Sequence, residues 1–172
     1  VRITGGSPDP GHVRPSGGDF SKGQQVISAG TQLLPRHIAL GASMGHCKLK
    51  VHRKPIVAIL ATGDELVEPG TTPGPGQIVA SNSYALAAMV ESAGGRPHLL
   101  GIASDTLEDL QHRLEQAADA DVVVTIGGAS VGDHDLVGKA LTNSGFELDF
   151  WKIAMRPGKP LMFAQRLPQR AI

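Results

Sequence analysis

From residue 56 onward the apolar positions fall into two alternating rhythms. Consecutive aliphatic runs, IVAIL at 56–60, HLLGIA at 98–103 and VVVTI at 122–126, read as short strands, and the first and last are apolar enough to be buried on both faces. Between them, apolar residues recur at helical spacing: Leu86, Met89 and Val90 within 83–92, and Leu107, Leu110, Leu114 and Ala117 within 106–118. A third helix is predicted over 135–144, stopped by Gly145. A fourth strand is expected near 150–154 and a returning one at 161–164. Ser81 or Asn82 is the expected cap of the first helix, and Asp105 with Glu108 resembles a capping box for the second. Strand and helix in regular alternation argue for an α/β fold of three layers, α/β/α, around a mostly parallel sheet.

The first 53 residues follow another pattern. Residues 1–32 are rich in Gly, Pro, Ser and Asp, with β-compatible pieces such as 25–28 and too little periodic apolar sequence for a core. A helix is predicted over 33–45 with Pro35 in its first turn, then a strand over 47–51. Arg53, Lys54 and Pro55 break the pattern. The expected organisation is therefore 1–53, the tail of a preceding β-rich domain with an entry helix and strand; 54–165, the α/β domain; and 166–172, a connection toward a further C-terminal domain.

Composition narrows the function classes. Among 172 residues, 16 Lys and Arg balance 16 Asp and Glu, so no general electrostatic attraction to nucleic acid or an anionic membrane is expected. The apolar runs are too short to span a bilayer. The single cysteine, Cys47, cannot form an internal disulfide, which fits a reducing cytoplasmic setting. His46, Cys47 and His52 lack a recognised zinc spacing, and His134 reads as a solvated loop residue.

The candidate chemistry concentrates on DVVVTIGGASVGDHD at 121–135, where a strand runs into paired glycines and then a helix. Gly127 and Gly128 allow close backbone approach, and a strand, glycine loop and helix N-terminus can receive an anion. The stretch is neither a P-loop, since Asp133 stands where lysine is needed, nor GxGxxG. A plain strand-to-helix turn capped by Asp133 or Asp135 is the structural alternative. In a parallel sheet the carboxyl ends of the strands share one rim, which collects Asp64, Glu65, Asp105, Gly127 to Asp135, Lys152, Arg156 and Lys159. Carboxylates facing glycine turns and cations suit a Mg²⁺-assisted phosphate site. Asp105 and Asn82 could equally be only caps, and Lys152 and Arg156 solvated charges. Pro157 and Pro160 could simply stiffen a turn.

Taken together, TGDEL at 62–66, Ser81 with Asn82, Ser104 with Asp105, GGASVGDHD at 127–135 and KIAMRPGKP at 152–160 resemble the molybdopterin molybdenumtransferase family, the MoeA type related to the gephyrin E domain. VRPSGGDFSKGQ at 13–24 and AGTQLLP at 29–35 resemble that family's segment ahead of its α/β domain. The resemblance implies Mg²⁺-dependent insertion of molybdate into adenylylated molybdopterin with release of AMP. It implies Glu65, Asp105 and Asp135 as metal and catalytic residues, with Lys152 a positive catalytic contact. Substrate binding would fall to Thr62, Gly63, Asp64, Asn82, Gly127, Gly128, Ser130, Arg156, Pro157, Gly158, Lys159 and Pro160. It further implies a homodimer, a pterin nucleotide as small-molecule partner and the adenylyltransferase of the pathway as a protein partner. Arg156 departs from the family's frequent lysine, keeping the charge and changing the donor geometry. The sequence stops before the family's GLPGNP segment, so the polypeptide is expected to be a fragment inactive by itself. The alternatives are a molybdopterin adenylyltransferase of the same fold, whose central loop favours GGTG, and a non-catalytic scaffold of gephyrin type.

Overall fold

The computed structural model describes residues 4–6, 9–128, 136–166 and 169–171. The chain divides into two compact units, Val1–Val51 and His52–Ile172.

The first unit holds a 3-10 turn, Pro10–His12, and one helix, α1 (Pro35–Ser43). Pro35 sits where its missing N–H costs nothing, and His37 closes the first turn. Its Nδ1 accepts the Leu34 N–H at 3.0 Å while its own N–H donates to the Leu34 carbonyl at 2.8 Å. The strand expected at 47–51 is not formed, and the β-compatible pieces upstream form none either; among its described residues this unit is not β-rich. A lone strand has no neighbour for its N–H and C=O groups. Leu49 instead lies over Gly41, where a Cβ would come within 3.3 Å of both its δ-carbons.

In the second unit the chain runs β1 (Ile56–Thr62), β2 (Leu66–Val67), β3 (Ile78–Val79), α2 (Asn82–Ser92), β4 (Arg96–Ala103), α3 (Leu107–Gln116), β5 (Val122–Ile126), α4 (Leu136–Asn143), β6 (Glu147–Trp151), β7 (Met162–Arg166) and β8 (Gln169–Ala171). Six strands form one sheet in the order β4-β1-β5-β8-β7-β6. β4, β1, β5 and β8 are mutually parallel, and β7 runs against both β8 and β6. The sheet is thus mostly parallel with one reversed strand, as the alternation of patterns predicts. Two residues each from β2 and β3 pair in a small second sheet between β1 and α2. The fourth predicted strand ends at Trp151, three residues earlier than expected.

Right-handed crossovers put α2 on one face of the sheet and α3 with α4 on the other. Burial agrees with that division. Ala58 and Leu60 belong to a core cluster with Leu110, Leu114, Val123, Val137, Ala140 and Leu141. Ile59, equally inaccessible, alternates to the opposite face, where α2 packs over β1 and β4.

At the amino-terminal ends of β1 and β5, Asp121 staples the two strands. It accepts from Arg53 Nη1 and Nη2 at 2.6 and 2.5 Å and from the Ile56 N–H at 2.8 Å. These donors, the Arg53 guanidinium first and the Ile56 amide second, hold its carboxyl down to about 2. A depressed folded value means the stabilisation is complete above the unfolded carboxylate range near 3.9 and fades as pH falls toward 2. The melting difference between the wild type and Asp121→Asn is therefore expected to be full at pH 5 and above and to shrink steadily between pH 4 and 2. Melting curves over pH 2–7 check this, and a difference that stays constant across that range would contradict the staple.

Candidate functional site at the carboxyl ends of the strands

β1 and β5 are neighbours whose following helices lie on opposite faces, so the sheet reverses its winding between them. In open α/β sheets the crevice at such a switch point is where ligands bind, beyond the strands' carboxyl ends. β1 delivers Thr62 to that edge, with Gly63, Asp64 and Glu65 immediately after it. β4, on the other side of β1, delivers Ser104 and Asp105, and β5 delivers Gly127 and Gly128.

These residues are bonded into one rim. The Thr62 hydroxyl donates to Asp105 Oδ1 at 2.8 Å, and the Asp105 N–H donates to Asp64 Oδ1 at 3.0 Å. Thr62 itself is 3% exposed, whereas Asp64, Glu65 and Asp105 stand open to solvent. Glu65 folds back over Gly63, where a Cβ would fall within 2.9 Å of its Oε1; Gly63 has a φ of +146° that a side chain would disfavour. The glycine pair closes the rim from β5. A Cβ on Gly127 would collide with the Thr62 carbonyl oxygen, and one on Gly128 with Val137 and, at 3.0 Å, with Thr62 Cγ2. Gly127 is thus required by a close approach of backbone to backbone, and Gly128 by side chains packed against it.

The Asp105 loop is also held from α3, by residues that sequence reasoning assigned differently. Thr106, not Asp105, is the N-cap: its Oγ1 accepts the Asp109 N–H at 3.3 Å. Asp109 answers by accepting from the Ser104 N–H at 2.9 Å and the Ser104 hydroxyl at 2.8 Å. Those Ser104 donors hold the Asp109 carboxyl below the usual carboxylate range, with Arg113 adding to the effect. The spacing Thr106-x-x-Asp109 carried this signal. Reading the box one residue early, as Asp105 with Glu108, left Asp109 unnoticed. The correction releases Asp105 from capping duty, and its carboxylate faces Thr62 instead.

The remaining candidates are placed elsewhere. Asn82 opens α2 and is exposed, and although Ser81 occupies the cap position, neither expected cap provides a side-chain bond to that helix. Lys152, Arg156, Pro157, Gly158, Lys159 and Pro160 connect β6 to β7, on the same rim as the end of β5 but three strand spacings, about 14 Å, along it. The sequence placed these cations on one rim with the glycine turn; β8 and β7 intervene because the chain returns antiparallel after β6. Lys152 has a φ of +135°, a strained value for a residue with a side chain, and its ammonium lies 5.2 Å from the Trp151 ring centroid. Ser130 and Asp135, together with Asp133 and His134, lie outside the described residues.

Among the described residues no three His, Cys, Asp or Glu side chains are grouped to hold a metal ion. That is compatible with Mg²⁺, which takes one or two carboxylates and completes its shell with water and substrate phosphates. Asp105 and Glu65 are suitable oxygen donors of that kind. Among the described residues, no helix is long and apolar enough to cross a membrane.

Comparison with known proteins agrees with the fold. Residues 58–171 match the family model described as a probable molybdopterin binding domain. A molybdopterin molybdenumtransferase from Nostoc sp. is 44% identical over 160 residues, covering 92% of this chain and 37% of that protein. Its counterpart from Haemophilus influenzae is 37% identical over 155 residues, covering 90% and 38%. The crystal structure of a MoeA protein of molybdopterin biosynthesis from Pyrococcus horikoshii superposes with a TM-score of 0.76 at 35% identity, over 90% of this chain and 38% of that one. The chain spans little more than a third of the length of these relatives. It belongs to the molybdopterin-binding domain family and, within it, to the MoeA type.

Proposed function

We propose that this chain carries the pterin-facing part of a molybdopterin molybdenumtransferase, which inserts molybdate into adenylylated molybdopterin and releases AMP in a Mg²⁺-dependent reaction. The observation that supports this most directly is the exposed Asp105 carboxylate, anchored by Thr62 beside the Gly127 and Gly128 turn at the switch point. An anionic nucleotide needs close backbone approach and a metal held by carboxylates, and both features meet there.

In this reading Asp105 and Glu65, with Asp135, hold Mg²⁺; bound there, the ion would withdraw charge from phosphate oxygens. Gly127 and Gly128 admit the pterin or phosphate end, to which the resemblance adds Ser130. Lys152, Arg156 and Lys159 attract molybdate or phosphate from farther along the rim. Asn82 and the 157–160 turn complete the substrate contacts. Assembly as a homodimer, delivery of the substrate by the pathway's adenylyltransferase and a cytoplasmic setting belong to the same proposal and rest on the resemblance.

The test uses the complete gene product with adenylylated molybdopterin, Mg²⁺ and molybdate. Asp105→Ala is expected to slow AMP release by about a hundredfold or more, with a melting temperature lowered only by what the Thr62 hydroxyl loses with its acceptor. Removal of Mg²⁺ with a chelator is expected to stop turnover reversibly. An undiminished rate in Asp105→Ala would sink the assignment. Partner binding without turnover in the complete gene product would favour the scaffold alternative.

A further inference from the structure

We propose that Thr62 and Asp64, read from the sequence as substrate contacts, are positioning residues that bracket Asp105, one through its side chain and one through its backbone. The inference rests on the function proposed above for Asp105 and deepens it.

Thr62 is buried, so a ligand at the rim cannot reach its hydroxyl directly. That hydroxyl has one proton, and it is committed to Asp105 Oδ1. Among the described residues, Thr62 is the one hydrogen-bond donor to this carboxylate. Without it, both side-chain torsions of an exposed aspartate are free to turn.

Thr62 can act as an anchor because it is itself immobilised. It closes β1 in register with Ala103 of β4, its branched side chain is stiff at χ1, and the glycine pair of β5 packs on its carbonyl and methyl group. Three strands therefore converge on one residue. Asp64 supplies the second hold by accepting the Asp105 N–H. What Asp64 contributes in this role is an acceptor oxygen and not a charge. Gly63, between the two, has the φ of +146° that lets residues two apart both serve Asp105. The TGD sequence then reads as a clamp for a carboxylate on the neighbouring strand, which keeps it within the narrow tolerance a reacting group demands.

The prediction separates acceptor from charge. In the complete gene product, Asp64→Asn keeps an acceptor oxygen and Asp64→Ala does not; Thr62→Ser keeps the hydroxyl and Thr62→Val does not. Thr62→Val and Asp64→Ala are expected to lower kcat for AMP release about tenfold each, with KM and melting temperature nearly unchanged. Thr62→Ser and Asp64→Asn are expected to stay within about twofold of wild type. Under single-turnover conditions, Thr62→Val should add no further loss on an Asp105→Ala background, since the group it positions is gone.

If Asp64→Asn is as damaging as Asp64→Ala, or if the Thr62→Val and Asp105→Ala effects multiply, the bracket is overturned in favour of direct contact. The amide resonance of Asp105 in 15N-aspartate-labelled protein gives a readout free of activity. It should shift upfield in Asp64→Ala and hold in Asp64→Asn; a resonance unmoved in Asp64→Ala would refute the bracket. Should Asp105→Ala retain the full rate, the functional reading of Asp105 fails, while the resonance still decides whether the bracket exists.

Discussion

Gly127→Ala is expected to lower the stability of the α/β unit by about 3 kcal/mol and to abolish ligand binding at the rim. Two costs add. The residue has a φ of +94°, a region that a Cβ disfavours by about 1–2 kcal/mol. The new methyl would also collide with the Thr62 carbonyl oxygen, which is backbone at the end of β1, held in register with β4, and cannot move aside as a side-chain end would. β1 and β5 would have to separate at the point where Asp105 is anchored. Gly94→Ala isolates the first cost, because its φ is +88° and nothing lies within 4 Å of the added carbon. It is expected to lose only about 1 kcal/mol. Urea unfolding of the two variants checks the comparison, and equal losses would show that close packing on Thr62 is not what requires the glycine.

Leu60→Ala should destabilise by about 3–4 kcal/mol, the largest effect expected from a single core truncation in this unit. Leu60 is fully buried on β1, a strand paired on both sides, on the face covered by α3 and α4, among Leu110, Leu114, Val123 and Ala140. Because interiors are close-packed, the vacated volume cannot be refilled without moving strands that pair on both sides of β1. Ile59→Val, one residue away on the opposite face, removes a single methylene and is expected to cost about 1 kcal/mol. Since Thr62 ends the same strand, the Leu60→Ala loss should also appear as a lower rate of AMP release near its melting transition. Denaturant midpoints at constant m-value measure the stability change. A loss below about 1.5 kcal/mol would mean that the site collapses around the cavity.

Much of the fold was legible because its signals are local. The five-residue run at β5, the helical spacing of Leu107, Leu110 and Leu114, and the glycine stops at Gly94 and Gly145 each depend on neighbours in sequence. The site was legible in part for the same reason. A glycine pair after a buried strand announces a close approach, and the order of TGDEL, SD, GGASVGDHD and RPGKP announces the family. The errors came where a partner was needed. Residues 47–51 have strand-forming composition, but among the described residues of that unit no second strand is there to pair with them. Asp105 and Thr106 are both good caps, and only the Asp109 and Ser104 bonds decide between them.

By itself, the sequence determined the strand and helix alternation, the glycine turn and the set of chemical groups on the rim, since these follow from periodicity and residue type. Tertiary structure alone decided the strand order, which separates Lys152 to Pro160 from the glycine turn by two intervening strands. It alone also decided that Thr62 is buried and bonded to Asp105 across 43 positions of chain. Such contacts join residues distant in sequence, and their energy depends on register and crossing direction, which no local pattern records.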